Sequence, residues 1–155
     1  MAKKLTPSKI NTFLLFKLPS AYFSGVRLKE INDESATVTV KHRWINQNPF
    51  KSLYWATQGM ASELATGVLV IQGIENCGEK ISMLVQSQKG HFTKKATGRI
   101  RFVCNDGKKV NAAIEKAIDT GEGQSLTLYA EGLDEAGERV SNFEYEWALK
   151  LRKKK

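Results

Sequence analysis

The sequence predicts an α+β fold in which one antiparallel sheet of five or six strands wraps a single long helix. Three observations carry that expectation. Residues 52–72 read as a helix that is apolar nearly all round, which belongs in the middle of a domain rather than on its surface. A short alternating hairpin precedes it. The second half of the chain is rich in alternating strands punctuated by turn residues.

The elements follow in order. Thr6-Pro7-Ser8 opens a short helix, with Thr6 as N-cap and Pro7 at the first helical position. Ile10, Phe13, Leu14 and Leu18 give it an apolar face, and Pro19 ends it. Val26 to Ile31 alternates as a strand, Asn32-Asp33-Glu34-Ser35 is turn chemistry, and Ala36 to Trp44 is the stronger partner strand. Ala36, Val38, Val40 and His42 share one face of it. Asn46-Gln47-Asn48-Pro49 stops that strand. Ser52 is the candidate N-cap of the long helix and Gly73 its stop. Ile81 to Ala96 reads as one long strand, or two with a bend near Gly90, and Arg99 to Cys104 as the next. Val110, Ala113, Ile114, Ala117 and Ile118 mark an amphipathic helix closed by Gly121. Ser125 to Leu133 and Arg139 to Leu151 are strands joined at Asp134-Glu135-Ala136-Gly137-Glu138, with Phe143, Tyr145, Trp147 and Leu149 on one face. No repeat or linker divides the chain. Residues 1–155 are expected to be one domain, with 1–25 as N-terminal helix and lead-in and 150–155 as a basic tail.

Composition narrows the function classes. The 155 residues, 41% hydrophobic, suffice to bury a core without disulfide or metal staples. The net charge is +8. Lys150, Arg152, Lys153, Lys154 and Lys155 carry five positive charges, Lys3 and Lys4 two more, and the remainder nearly balances. No aromatic residue is interleaved with the terminal lysines, which disfavours nucleic-acid binding. Cys77 and Cys104 stand alone, with no CxxC or Cys/His cluster, so no metal site is expected and a reducing compartment fits. Lys17 and Pro19 cut the Phe13–Phe16 run far short of a signal sequence. No stretch approaches the ~20 apolar residues that span a bilayer. A soluble cytoplasmic protein is the expectation. His42 and His91 read as structural, and there is no G-x-S-x-G nucleophile turn or phosphate-binding glycine loop.

Glu63 is the most informative residue. It is the only charged side chain from Ser52 to Ile74. A carboxylate on a buried helix costs several kcal/mol unless it is paired, hydrogen-bonded or facing a wet cleft. Its neighbours at three and four positions include Gly59, Gly67 and Thr66. Each helix-interior glycine costs about 1 kcal/mol against alanine. Two readings stand. Either a ligand or another backbone approaches Glu63 closely, or Glu63 pairs with a lysine at the rim while the glycines allow tight helix-to-sheet packing.

The order helix, hairpin, long central helix and antiparallel strands resembles the hotdog fold. Arg43-Trp44-Ile45-Asn46-Gln47-Asn48, then Ala61-Ser62-Glu63-Leu64-Ala65-Thr66-Gly67, is similar to that family's acyl-CoA thioesterases. His91-Phe92-Thr93-Lys94-Lys95-Ala96-Thr97-Gly98 resembles the family's aromatic-x-(Lys/Arg)-x-Ala-x-Gly bend between strands. The likeness spans about residues 26 to 150 and points to a bacterial branch of unassigned substrate. It implies a homodimer, or a dimer of dimers, with sites at the subunit interface. An acidic residue on the central helix would act as base or nucleophile on a thioester, and backbone N–H groups at the helix start would polarise its carbonyl. Carried over, Glu63 takes the acid/base position, Thr66 lies one turn on, and Asn46 matches the polar residue before the helix. Lys94, Lys95, Arg99 and Arg101 are candidates for coenzyme A phosphates, and Gly59 and Gly67 for close approach of the ligand. The coenzyme A thioester is then substrate or ligand, and no other cofactor is implied. Many family members have His-Gly-Gly at the helix start, where this chain has Leu53-Tyr54-Trp55. Two functions follow: thioester hydrolysis, or a non-catalytic dimer that binds an acyl group or acyl-CoA.

Overall fold

The computed structural model describes residues 4–152. Thr6 caps α1 (Pro7–Lys17), its hydroxyl accepting from the Lys9 N–H. Pro19 both prevents α1 from continuing and opens the five-residue α2 (Pro19–Phe23). The hairpin is β1 (Arg27–Ile31) and β2 (Ala36–Lys41). The second strand ends earlier than Trp44, because Trp44–Asn46 turns into a 3-10 helix. His42 therefore lies beyond β2, half-buried, with its N–H bonded to the Gly98 carbonyl.

The long helix is α3 (Trp55–Cys77), displaced from the expected 52–72 at both ends. Ser52 does not cap it. Its hydroxyl bonds to Asn48 instead, three residues before the helix begins. Gly73 does not stop it either, and the stop is Gly78, which adopts the left-handed conformation at φ 70°. Gly73 serves packing: a Cβ there would stand 2.7 Å from Ile114 Cδ1. The residue that looked like punctuation lets a second helix lie close.

Six strands make one antiparallel sheet in the order β1-β2-β4-β5-β6-β3. β3 (Ile81–Phe92) is a single strand, and its irregularity falls between Val85 and Ser87 rather than near Gly90. β4 (Arg99–Cys104) follows, then α4 (Gly107–Thr120), closed by Gly121 as expected. β5 (Gln124–Leu133) and β6 (Arg139–Leu151) form the final hairpin. Lys150, expected in a tail, pairs with Ser82 within the sheet. Lys3, Lys153, Lys154 and Lys155 lie outside the described residues.

The core lies between sheet and α3. The alternate residues Leu126, Leu128, Ala130 and Phe143, Tyr145, Trp147, Leu149 are all buried. α3 touches every strand of the sheet, so the sheet curves round it. The edges are β1 and β3, and β3 is exposed over most of its length. No described helix is long and apolar enough to cross a membrane.

Candidate functional site

A cleft of about 510 Å³ opens at the start of α3. One wall is the loop before the helix, the other the bend after β3. Asn48 holds the first wall: its side-chain oxygen accepts from the N–H groups of Phe50 and Ser52, and its amide nitrogen donates to the Leu53 carbonyl. The Leu53 N–H then bonds to the Ala96 carbonyl at 2.8 Å, which ties the two walls together. Phe92-x-Lys94-x-Ala96-x-Gly98 supplies the second wall. Ala96 is buried and Gly98 has φ 69°, a left-handed turn that glycine adopts without strain.

The helix start itself opens here. Tyr54 is the N-cap residue, and no side chain caps α3. The Thr57 and Gln58 N–H groups bond to the Tyr54 carbonyl. Those of Trp55 and Ala56, at the first two helical positions, have no intrahelical acceptor. The bulky Leu53-Tyr54-Trp55 does not plug the site, because Leu53 goes into the core while Tyr54 and Trp55 stay about half exposed beside the cleft. Gln58 reaches the cleft from the first turn. Its side-chain oxygen accepts from the Ser141 hydroxyl at 2.7 Å, and its amide nitrogen bonds no described residue.

Glu63 sits two turns further along the same helix, half-buried, with no ion pair or side-chain hydrogen bond among the described residues. Burial raises its carboxyl above the ordinary carboxylate range, and nothing opposes that shift. The lysine partner at the rim is absent among the described residues. Eight residues separate Glu63 from Trp55, about 12 Å along the axis. Glu63 does not line the cleft of its own chain.

The other sequence candidates divide. Asn46 is buried and committed to structure: its amide nitrogen donates to the Ser24 and Lys41 carbonyls, and its oxygen accepts from the Arg43 N–H. Thr66 is fully buried, donating to the Glu63 carbonyl and accepting from the Trp147 indole at 3.0 Å. Gly67 lies under the same indole, 3.3 Å from where a Cβ would be, so close sheet packing accounts for it. Gly59 differs, with nothing within 4 Å of its Cβ position. Lys94 and Lys95 both reach the cleft. Lys94 is paired with Asp134 and Glu138, whereas Lys95 forms no ion pair among the described residues and approaches only the Phe50 ring. Arg99 and Arg101 point away from α3, on the opposite face of β4 from buried Ile100 and Phe102, and do not line the cleft. No cluster of metal-ligating residues occurs among the described residues. Burial pushes the Cys104 thiol up to about 12, too high for a nucleophile at neutral pH.

Residues 8–149 match the model of a domain of unknown function, DUF4442. The chain belongs to this family. Solved structures share this chain's architecture. A Pseudomonas aeruginosa protein of unknown function, described as a probable thioesterase, matches at TM-score 0.80 and 19% identity, covering 95% of this chain and 97% of that one. A protein of unknown function from Chlorobaculum tepidum matches at 0.79 and 16%, covering 96% and 98%. A Haemophilus influenzae thioesterase matches at 0.72 and 10%, covering 97% and 94%. No curated relative matches in sequence. The DUF4442 domain thus has the hotdog fold of thioesterase-like proteins.

Sequence reasoning placed Trp55 at the helix start and Phe92 in the bend, but missed Gln58, Ser141 and the aromatic wall Phe50 of this DUF4442 cleft. One signal for Gln58 was available. Besides Glu63, it is the largest polar side chain in the first three turns of an otherwise apolar helix. Ser141 carried none, since its partner lies 83 positions away.

Proposed function

We propose that this protein hydrolyses an acyl thioester of coenzyme A or a related carrier, in a site completed by a second copy of the chain. The observation that carries the reading is the uncapped start of α3 opening into a cleft with the Gln58 amide on its wall. A thioester carbonyl placed there meets the N–H groups of Trp55 and Ala56 and the positive end of a 23-residue helix. Those donors stabilise the oxyanion that forms when the carbonyl carbon is attacked. Glu63 supplies the base. Burial raises its pKa, which makes the ionised carboxylate a stronger proton acceptor than a solvated one. Glu63 takes a proton from water as the water oxygen adds to the carbonyl carbon. The tetrahedral intermediate collapses with cleavage of the C–S bond, and Glu63 returns the proton to the departing thiolate, releasing acid and thiol.

The separation of Glu63 from the cleft is the reason for the second copy. A twofold axis beside α3 lets each helix give its start to one site and its Glu63 to the other. Open space over Gly59 leaves room for that approach. The exposed edge β3 supplies a strand for pairing. Lys95 is the cation at the rim for a phosphate of the carrier.

A second reading has its own support. Asn46 and Thr66 are both committed to internal bonds, which suits a dimer that binds acyl-CoA without cleaving it. Thiol release across an acyl-CoA panel separates the two. Hydrolysis by the native protein that falls ~10²-fold in Glu63→Gln, with acyl-CoA binding retained, supports the enzyme. Binding without thiol release across the panel supports the binder. A concentration-independent monomer mass by light scattering removes the shared site.

A further inference from the structure

We propose that the face formed by α1, α2 and the 3-10 turn docks this protein onto an anionic lipid surface. Six large apolar side chains stand out to solvent there: Phe13, Phe16, Leu18 and Phe23 from the two helices, Trp44 and Ile45 from the turn. Phe16 is 73% exposed and Trp44 82%. The parts adjoin. Leu18 joins α1 to α2, and the Asn46 amide bonds to the Ser24 carbonyl at 2.9 Å, placing the turn beside the end of α2. So many exposed apolar groups in one region mark an interaction surface.

Charge identifies the occupant. The first 62 residues contain nine Lys or Arg and only three acids, Glu30, Asp33 and Glu34. Those three lie at or beside the β1–β2 turn, where Glu34 pairs with Lys108 and its carbonyl accepts the Gly107 N–H. That is the length of β2 away from Trp44, about 20 Å at 3.3 Å per residue. The apolar face itself is flanked by exposed Lys9, Lys17, Lys41 and Arg43. Protruding aromatic and aliphatic side chains among cations suit the boundary between anionic headgroups and acyl chains. A twofold contact with another copy would set this basic face against itself with no acid to pair. Nucleic acid would use the cations and the rings but leave Leu18 and Ile45 unsatisfied. The cleft opens alongside, since the Tyr54 N–H bonds to the Asn46 carbonyl at the end of the turn, so lipid-borne acyl groups would arrive next to it.

Vesicle co-sedimentation tests this without any substrate, so its outcome does not depend on thioester hydrolysis. The protein is expected to sediment with vesicles of equal parts phosphatidylcholine and phosphatidylglycerol, and not with phosphatidylcholine alone. Phe16→Ser combined with Trp44→Ser should lower partitioning ~10-fold or more, since both side chains bury their apolar area only in the bilayer. Lys17→Glu combined with Arg43→Glu removes two cations, each worth about five-fold, and leaves the apolar residues untouched. All four residues are exposed, so unchanged melting confirms that both variants are folded. Three results overturn the proposal: no sedimentation with the anionic vesicles, heparin binding that survives the Phe16/Trp44 substitutions alongside unchanged vesicle binding, or a drop in oligomer mass in that variant, which would make the face a contact between copies.

Discussion

The two halves of α3 do different work. From Gly67 to Gly73 the helix is buried almost all round, with the Trp147 ring on one side and α4 against Gly73 on another. From Trp55 to Glu63 it is open along one side: Trp55 is exposed, and Ala56, Gly59, Met60 and Glu63 are half-exposed. The C-terminal half ends in a left-handed glycine, while the N-terminal half has no side-chain cap. Stability is concentrated where packing is complete. The groups suited to chemistry, an unpaired carboxylate, free N–H groups and an amide, lie where it is incomplete. Glycine marks both halves for opposite reasons, excluding bulk at Gly73 and leaving space at Gly59.

The comparison can be broken most directly at the open half. Gln58→Leu keeps the volume near constant but removes the amide that borders the cleft. If that amide serves the oxyanion, thioester hydrolysis should fall by ~10²-fold, the scale of losing one such donor. Unchanged turnover in a folded Gln58→Leu protein would reduce Gln58 to a partner of Ser141.

The closed half should respond through stability instead. Gly73→Ala places a Cβ 2.7 Å from Ile114 Cδ1 and 3.1 Å from Val110 Cγ1. Overpacking of this kind costs about 1–3 kcal/mol, outweighing the gain in helix propensity. Chemical denaturation should show a lower midpoint with an unchanged slope. A stabilised Gly73→Ala would mean that α4 shifts freely, and the distinction between the halves would weaken.

Glu63 gives the next effect, and its sign depends on pH. A carboxyl whose folded pKa is raised binds its proton more tightly in the folded state, so folding is penalised above that pKa and the penalty fades as pH falls through it towards 4.5. Glu63→Gln should therefore raise Tm near pH 8, by about 2–4 °C if 1 kcal/mol is relieved at this chain length. The gain should vanish near pH 4. A Tm that falls at pH 8 would reveal an ion pair across a subunit contact.

The smallest effect belongs to Gly59→Ala. Its Cβ meets nothing within the chain, so the helix should gain at most about 1 kcal/mol. Light scattering sharpens the contrast with Gly73. Dimer weakening by a substitution that stabilises the monomer would show that a second copy occupies the open space.

Much of this was legible along the chain because the signals are local. Thr6-Pro7, Gly121 and the Asp134–Glu138 turn act on their neighbours, and Arg99–Cys104 alternates within six residues, so these elements fall where the sequence places them. Glu63 was conspicuous as the lone charge on an apolar helix, and it is held half-buried without a partner among the described residues. Ser52 and Gly73 misled, since each has a cap-like identity whose actual role comes from a contact.

The sequence by itself determined the α+β class, the element order and the position of the lone charge on the central helix, because periodicity and charge are properties of neighbours. Only the tertiary structure decided what surrounds each candidate. It enclosed Thr66 beneath Trp147, spent both amide hydrogens of Asn46 on carbonyls at Ser24 and Lys41, turned Arg99 and Arg101 to the far face of the sheet, and brought Gln58 to Ser141. Such outcomes depend on partners up to 83 positions away. No window of the chain holds them, because strand order and helix crossing, rather than spacing, set which side chains meet.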